Sequence, residues 1–336
     1  MAQRKGLHPL AVIFIIALIL VVITFVVLYV FLGMRYINDK THELKFVGKV
    51  VNNVPYKGKL YYYDGRVATL DGATKTIESS TADKYVGALN GYLPHGKGTL
   101  TRADGAIYEG DFYEGYCTGI ATVSYKNGDV YIGEVDHERR EGFGKYIKAD
   151  KTVYEGEFRD DEKNGFGMTK FPDGSVYIGE YLASVKHGRG AYLFTDGDIF
   201  VGDFVSDKRT GRGIYIWSKS EEYSSEFETL FDVTIDSSFQ SSFLAYFEGD
   251  FERHFIEGDK LDATTVNTFF QTFENILTRK QLEYYIGDFV ENELTGHGTY
   301  QWLSGRVFSG EFNNGVIVEE EQPEEQPEVQ PEEQSE

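Results

Sequence analysis

Cysteine is all but absent: Cys117 stands alone in 336 residues. That excludes an intrachain disulfide framework and any zinc site built on thiolates, and it suits a reducing compartment. Tryptophan occurs twice and proline seven times, with Pro323, Pro327 and Pro331 gathered near the C-terminus. No Asn-x-Ser/Thr sequon occurs, as expected of a domain that never meets the glycosylation machinery. Basic charge is also short, with 33 Lys and Arg against 54 Asp and Glu, a net charge of -21. A surface so acidic repels nucleic acid and anionic lipid heads. The stretch Glu319 to Glu336 carries nine of the acids and no base, which leaves -12 for the rest.

Catalytic motifs are missing too. The seven histidines, His8, His42, His95, His137, His187, His254 and His297, show no His-x-x-x-His or His-Cys spacing. Gly188-Arg189-Gly190 lacks the Gly-Lys-Ser/Thr ending of a phosphate loop and precedes a strand. Cys117 reads as a plain residue of a loop between hairpins. Carboxylates are many but recur at fixed intervals, which marks a solvated face rather than an acid–base pair. No catalytic, cofactor-binding or metal-binding residue is therefore assigned, and the chain is not expected to be an enzyme.

Two things are abundant: one apolar run and one periodicity. Leu10 to Leu32 has no charged side chain in 23 residues. At about 1.5 Å per residue this is roughly 34 Å, enough to cross a hydrocarbon core of about 30 Å. A cleaved signal peptide is the rival, but its apolar region is usually about 7–15 residues and no small-x-small site follows. The flanks, Arg4 and Lys5 against Arg35, Lys40 and Lys45, are nearly balanced, so the positive-inside rule decides little. The expected localisation is a single-pass membrane protein with its C-terminal part in the cytosol.

Beyond the anchor, aromatic-x-Gly triplets start at Tyr85, Tyr108, Tyr131, Tyr154, Tyr177 and Phe200, every step being 23 residues. A second glycine pair follows each, such as Gly142 and Gly144 or Gly188 and Gly190, with Gly119 and Ala121 in one unit. Asp104-Gly105, Asn127-Gly128, Asp173-Gly174 and Asp196-Gly197 then supply tight turns with positive φ at low cost. Phe200, Gly202 and Phe204 share one strand face, where the glycine leaves space for a ring to lie flat. Asp111, Glu134, Glu157, Glu180 and Asp203 fall on the opposite face and are expected to keep it wet. One hairpin cannot bury its aromatic face alone, whereas stacked hairpins can.

Tyr154-Glu155-Gly156-Glu157-Phe158, Asn164-Gly165-Phe166-Gly167 and Phe171-Pro172-Asp173-Gly174 together resemble one MORN (membrane occupation and recognition nexus) repeat. The resemblance covers most of residues 46–317. The expected fold is all-β, an extended single-layer twisted antiparallel sheet of stacked hairpins, with an N-terminal transmembrane helix and one short inserted helix. The expected layout is a flank at 1–9, the span at 10–32, a linker at 33–45, the array at 46–317 and a disordered acidic tail at 318–336. Within the array Phe46-Val47-Gly48 opens a first unit, and 68–84 is a spacer or an extra hairpin. Units are regular over 85–222, degenerate over 223–284, with starts at Tyr223 and Phe247, and restored at Tyr285. Val266, Phe269, Phe270, Phe273, Ile276 and Leu277 have helical spacing, which predicts a helix over 265–278 that packs on the sheet or docks a partner.

The resemblance implies roles in organising membranes, cytoskeletal or ciliary structures and contact sites. Three readings follow. The first is a non-catalytic, membrane-anchored scaffold that presents the repeats to a protein partner or to a second copy. The second is a lipid-binding module or contact-site tether using Arg139-Arg140, Lys186 to Arg189, Lys208-Arg209 and Arg212. An enzyme is the third, with only 68–84 and the region around the helix left to house it, too little for a catalytic domain.

Overall fold

The computed structural model describes residues 8–218, 241, 276 and 282–318. It begins with α1 (Pro9–Val26), which continues into a π-helical stretch, Val27–Phe31. Proline in the first turn is tolerated because its missing N–H has no intrahelical partner there. Leu10 N–H donates to His8 Nδ1 at 3.4 Å, and Thr24 Oγ1 donates back to the Leu20 carbonyl at 2.8 Å. Pro9–Phe31 is thus an apolar helical segment of 23 residues, none buried, long enough to cross a membrane. At its end Arg35 Nη1 donates to the Tyr29 carbonyl at 2.6 Å and the guanidinium lies 3.7 Å over the Tyr29 ring.

Twenty-one strands follow among the described residues, in two compact units divided between Lys163 and Asn164. The first unit holds β1 (Met34–Asp39), β2 (Leu44–Val51), β3 (Val54–Tyr62), β4 (Val67–Asp71), β5 (Thr76–Ser79), β6 (Lys84–Asn90), β7 (Leu93–Thr101), β8 (Ile107–Tyr113), β9 (Tyr116–Ser124), β10 (Val130–Asp136), β11 (Arg139–Ile147) and β12 (Val153–Arg159). Each pairs antiparallel with its neighbours in sequence.

One expectation changes here and one pair of alternatives is decided. Residues 33–45 are not a linker, because β1 pairs with β2 from Met34 opposite Lys49 to Asp39 opposite Leu44. Its turn is closed by Asp39, whose Oδ1 accepts from the Thr41 and His42 N–H groups. The stretch 68–84, left open as spacer or hairpin, forms the β4–β5 hairpin. The unit opened by Phe46 has the common register, with Gly48 opposite Gly58.

The second unit holds β13 (Glu162–Lys170), which starts at the boundary, then β14 (Val176–Leu182), β15 (Val185–Leu193), β16 (Ile199–Val205), β17 (Lys208–Trp217), β18 (Glu283–Val290), β19 (Glu293–Gln301), β20 (Val307–Asn313) and β21 (Val316–Ile317). β17 pairs directly with β18, from Gly211 opposite Phe289 to Trp217 opposite Glu283. That is the register of β15 on β16, where Gly188 faces Phe204 and Gly190 faces Gly202. The ladder therefore closes across the chain excursion with no strand between. The degenerate units expected over 223–284 lie outside the described residues, apart from Ser241, Ile276, Leu282 and the β18 residues Glu283 and Tyr284. Of the expected helix over 265–278, only Ile276 is described; it is helical and buried. The flank 1–9 is described from His8 and the tail only at Val318.

In each unit the glycines line up across the strands. Gly87 faces Gly98, which faces Gly110; Gly133 faces Gly144, which faces Gly156. Gly179 faces Gly190, which faces Gly202; Gly202 faces Gly213, which faces Gly287. The other hairpin ends carry two-residue turns with both φ positive, such as His137-Glu138 (49° and 64°), Asp160-Asp161 (48° and 68°) and Ser206-Asp207 (50° and 69°). This twist matches that of the flanking strands.

The face opposite the aromatics differs between units. In the first it carries Thr99, Glu109, Thr122, Lys145 and Glu155, with Lys145 paired to Glu155 at 2.5 Å. At the matching positions the second carries Met168, Ile178, Ala191, Val201, Ile214 and Ile286, all at most 5% exposed. The expected wet face thus fails over β13 to β18, where these positions are buried and Glu180 and Asp203 half-buried, and returns at Thr299 and Ser309 on β19 and β20.

Candidate functional site

The repeat face is built on tyrosines that fold back over glycine. Tyr85, Tyr131, Tyr154, Tyr177 and Tyr285 each donate O–H to the carbonyl three residues on, at 2.7 to 3.1 Å. That bond lays the ring across the glycine pair, so a Cβ at Gly98 would come within 2.4 Å of Tyr85 Cε2. Neighbouring repeats interlock through edge-to-face rings. Tyr177, Phe204, Phe200, Phe289, Tyr285 and Phe312 form one such chain, with centroids 5.0 to 5.3 Å apart.

Two further positions recur every 23 residues. Asp129, Thr152, Ser175 and Asp198 lie two residues before the first aromatic and are at most 8% exposed. Asp129 accepts from Tyr146 O–H at 2.5 Å and Ala149 N–H at 2.8 Å; Asp198 accepts from Tyr215 O–H and Ser218 N–H, both at 2.7 Å. Burial pushes the Asp129 carboxyl up, but its hydrogen bonds outweigh that and hold it below the usual range. The second position is cationic: Arg140, Lys163, Lys186 and Arg209. Arg140 lies 4.8 Å over Tyr146, Lys163 is 4.5 Å over Tyr154, Lys186 is 5.1 Å over Tyr192, and Arg209 is 5.1 Å over Tyr215. Burial lowers the pKa of Lys186 and Arg209.

These facts relocate the residues singled out in the sequence. The basic residues form no open patch. Arg139 pairs with Asp160 at 2.6 Å, Arg140 with Asp161 at 3.2 Å, Lys186 with Asp207 at 3.7 Å and Lys208 with Glu291 at 3.1 Å. The repeated acids serve the backbone: Glu134 accepts from Phe143 N–H at 3.3 Å, Glu180 from Arg189 N–H at 2.8 Å and Asp288 from His297 N–H at 3.2 Å. Each register shift leaves that N–H free to be capped this way. Cys117 is not in a loop but on β9, fully buried, its thiol pushed up to about 11 by burial. The histidines stay apart: His42 sits 2.7 Å from Asp39, His95 is 5.6 Å from the Tyr113 ring and His137 is 4.6 Å from Tyr116. Among the described residues no three His, Cys, Asp or Glu side chains are placed to hold a metal. The buried polar positions escape the sequence reading, and the cations figure there only as a basic surface, although the same 23-residue spacing marks both.

One concavity stands out, in the first unit. A groove of about 740 Å³ lies on the aromatic face where the β4–β5 hairpin joins the repeats. Leu44, Ala68, Ile77 and Tyr85 line it as buried groups, and Tyr85 is pushed up to about 12 by burial. Its other lining includes Tyr62, Tyr63, Tyr113 and Tyr116 and the acids Glu43, Asp64, Asp83, Glu114 and Asp136. Arg66 is held by Asp64 at 2.7 Å, and Arg102 lies 3.3 Å from Glu138. Beside the groove Asp39 accepts from Tyr92 O–H at 2.5 Å and approaches His42 at 2.7 Å; the Tyr92 bond leads in lowering its pKa to about 2.

The sequence model of the MORN repeat matches residues 85–107, 108–130, 131–153, 154–176, 177–199, 200–221 and 285–305. No curated protein matches the chain. Among solved structures it is similar to the TCP domain of SAS-4 (dCPAP) from Drosophila melanogaster bound to a proline-rich motif of Ana2, at 15% identity, 44% of this chain, 90% of that chain and a TM-score of 0.24. It is also similar to the TCP10 domain of Danio rerio CPAP bound to a peptide of STIL, at 13% identity, 55% of this chain, 87% of that chain and a TM-score of 0.31. A streptogramin B lyase shows 15% identity over 55% of this chain and 76% of its own, with a TM-score of 0.14.

Proposed function

From the premise that this chain carries seven MORN repeats behind an apolar N-terminal helix, we propose that it is a single-pass, membrane-anchored, non-catalytic scaffold whose repeats meet protein partners. One observation carries this reading: the ionisable side chains that recur with the repeat are spent on the fold. The carboxylates of Glu134, Glu180, Asp129 and Asp198 accept backbone or tyrosine hydrogen bonds, and the cations lie over rings. Such a surface offers shape and aromatic rims rather than a poised acid, base or nucleophile. The length of the apolar segment favours an uncleaved span over a signal peptide, and the absence of sequons favours cytosolic repeats. The ion pairs of Arg139, Arg140, Lys186 and Lys208 favour a protein partner over anionic lipid.

Two measurements test the reading. Alkaline carbonate extraction leaves the full chain in the membrane pellet, and an Ile15→Lys/Leu18→Lys variant enters the supernatant. Release of the unaltered chain refutes the anchor. The full chain in neutral-lipid nanodiscs is then mixed with phosphatidylserine vesicles. Strong, salt-sensitive binding refutes the protein-partner reading in favour of lipid.

A further inference from the structure

The cation column is incomplete, and the groove lies at the gap. Arg140, Lys163, Lys186 and Arg209 occupy one repeat position at successive 23-residue steps. Continued backwards, the same position is Cys117 and then Pro94, neither of which carries charge. The aromatic packing persists, although Leu100 stands where Tyr146, Tyr192 and Tyr215 lie under the later cations. Tyr85 and Phe112 still meet edge to face at 4.9 Å. The turn position of Asp161 and Asp207 is Glu138 and then Gly115 in these units, and at the latter the acid is the neighbouring Glu114. Where Asp161 and Asp207 answer Arg140 and Lys186, Glu138 is left to the backbone N–H of Cys117 at 3.2 Å and to Arg102 at 3.3 Å. Beside Pro94, Glu114 has no ion pair among the described residues, and neither does Glu43 across the groove. Five carboxylates line the groove against Arg66, Arg102, His42 and His137, and each of these four already has a carboxylate partner.

The rim is aromatic as well as acidic. Tyr113 is 58% exposed, Tyr63 49% and Tyr116 48%, high values for large rings. An exposed tyrosine face next to a carboxylate attracts a cation by both its quadrupole and its neighbour's charge. Acidic or phosphorylated ligands would meet like charge. Every strand under the groove is hydrogen-bonded on both sides, so a ligand cannot enter as an added strand and is recognised by its side chains. A volume of about 740 Å³ lies within the usual range for a specific site.

We propose that the groove between the β1–β2 turn and the β8–β9 turn receives an extended basic segment of a partner protein, whose Lys or Arg side chain fills the cation position left empty at Pro94. This rests on the protein-partner reading above and names the partner's chemistry. The bound cation lies beside Tyr113 and Tyr116 and is neutralised by Glu114 and Glu43, which act from other positions than the Asp161 that answers Arg140 in the later repeat.

The test uses the full chain in detergent micelles at physiological salt, with a fluorescein-labelled peptide of four Lys-Gly pairs and a Glu-Gly counterpart. The Lys-Gly peptide binds; the Glu-Gly peptide does not. Glu43→Gln/Glu114→Gln weakens binding about tenfold, and Pro94→Lys, which supplies the cation internally, weakens it at least as much. Glu109→Gln/Glu155→Gln removes the same charge from the opposite face and changes affinity less than about twofold. Equal weakening by the two glutamine pairs, no effect of Pro94→Lys, or equal binding of the Glu-Gly peptide overturns the proposal. Partner cross-links that fall only on other repeats overturn the groove assignment while leaving the scaffold standing. A chain that captures no protein at all overturns the scaffold itself.

Discussion

The glycine row makes a sharp prediction at Gly144. Its φ is not in the left-handed region, so alanine there has no backbone cost and the whole penalty is steric. The new Cβ would lie 2.3 Å from Tyr131 Cε2, 2.4 Å from its Oη and 2.5 Å from its Cζ. Tyr131 is fully buried, donates to the Glu134 carbonyl at 2.7 Å and packs edge to face on Phe158 at 5.2 Å. The ring cannot slide aside without giving up these contacts. Overpacking of this kind costs about 1–3 kcal/mol. Expelling the ring instead loses about 2 kcal/mol of burial, about 1 kcal/mol of hydrogen bonding and about 1 kcal/mol of ring pairing. Gly144→Ala should therefore destabilise the β10–β11 hairpin by about 3 kcal/mol. Native-state hydrogen exchange reads this locally, as a rise of about a hundredfold in exchange at the protected amides of 130–147. Gly65→Ala is the control. It has φ of 91° but nothing within 4 Å, so only the positive-φ cost of about 1 kcal/mol applies. In a Tyr131→Ala background the cost of Gly144→Ala should vanish. A cost near 1 kcal/mol, or one that survives removal of the ring, refutes the argument. The chain holds its own comparison: Ala121 takes this position opposite Gly110, and among the described residues Tyr108 makes no bond to the carbonyl of Asp111.

Three further outcomes follow from single groups. Tyr92→Phe removes the main hydrogen bond that lowers Asp39 to about 2, so its pKa rises towards 3.8. Asp39 contributes stability that is present above its unfolded pKa and lost as pH falls towards about 2, so the variant's acid-unfolding midpoint moves to higher pH. Lys186→Met stays within about 1 kcal/mol of the parent in thermal melts, because the pair it gives up is long at 3.7 Å, its Asp207 partner is half exposed to water, and methionine keeps the buried stem. Asp207→Ala does worse, since it strands the half-buried ammonium and removes the acceptor of the Lys186 N–H at 2.9 Å. Cys117, with its thiol at about 11, resists thiol–disulfide exchange with a disulfide reagent at pH 8 until the chain is unfolded, and reaction at a free thiol's rate in the native protein contradicts its burial.

How far the sequence could be read depended on whether the determinant was local. The Asp-Gly turns, the aromatic-x-Gly triplets and their 23-residue step are local, and they gave the hairpins and the glycine pairing. Met34–Asp39 shows no alternation of apolar and polar residues and looked like a linker. It is a strand only because β2 offers an edge to it, which no local pattern announces. The His137-Glu138 and Ala183-Ser184 turns hold positive φ without glycine or asparagine, since the register on either side forces the twist. The cation position was visible as spacing but was read as a basic surface, because charge in a sequence does not reveal the rings beneath it.

The excursion between β17 and β18 fits the same logic and can be tested by excising it. Ser218 and Glu283 hold the places of Thr195 and Asp198, whose turn needs only Asp196-Gly197 between them. Residues 219–282 thus replace two turn residues with 64. Loop closure grows by about 0.6 kcal/mol per doubling of length, so this stretch costs about 3 kcal/mol more to close than the dipeptide. The unit that carries this insertion has an apolar second face, through Ile178, Val201, Ile214 and Ile286, where the first unit carries Thr99, Thr122 and a 44% exposed Ile132. Replacing residues 219–282 with Asp-Gly should keep the register of β17 on β18, provided those four positions also become threonine. Hydrogen exchange of 211–217 and 283–290 then slows relative to the parent by the closure term. Faster exchange there, with the rest of the ladder intact, would mean that the excursion stabilises this pairing by more than its closure costs.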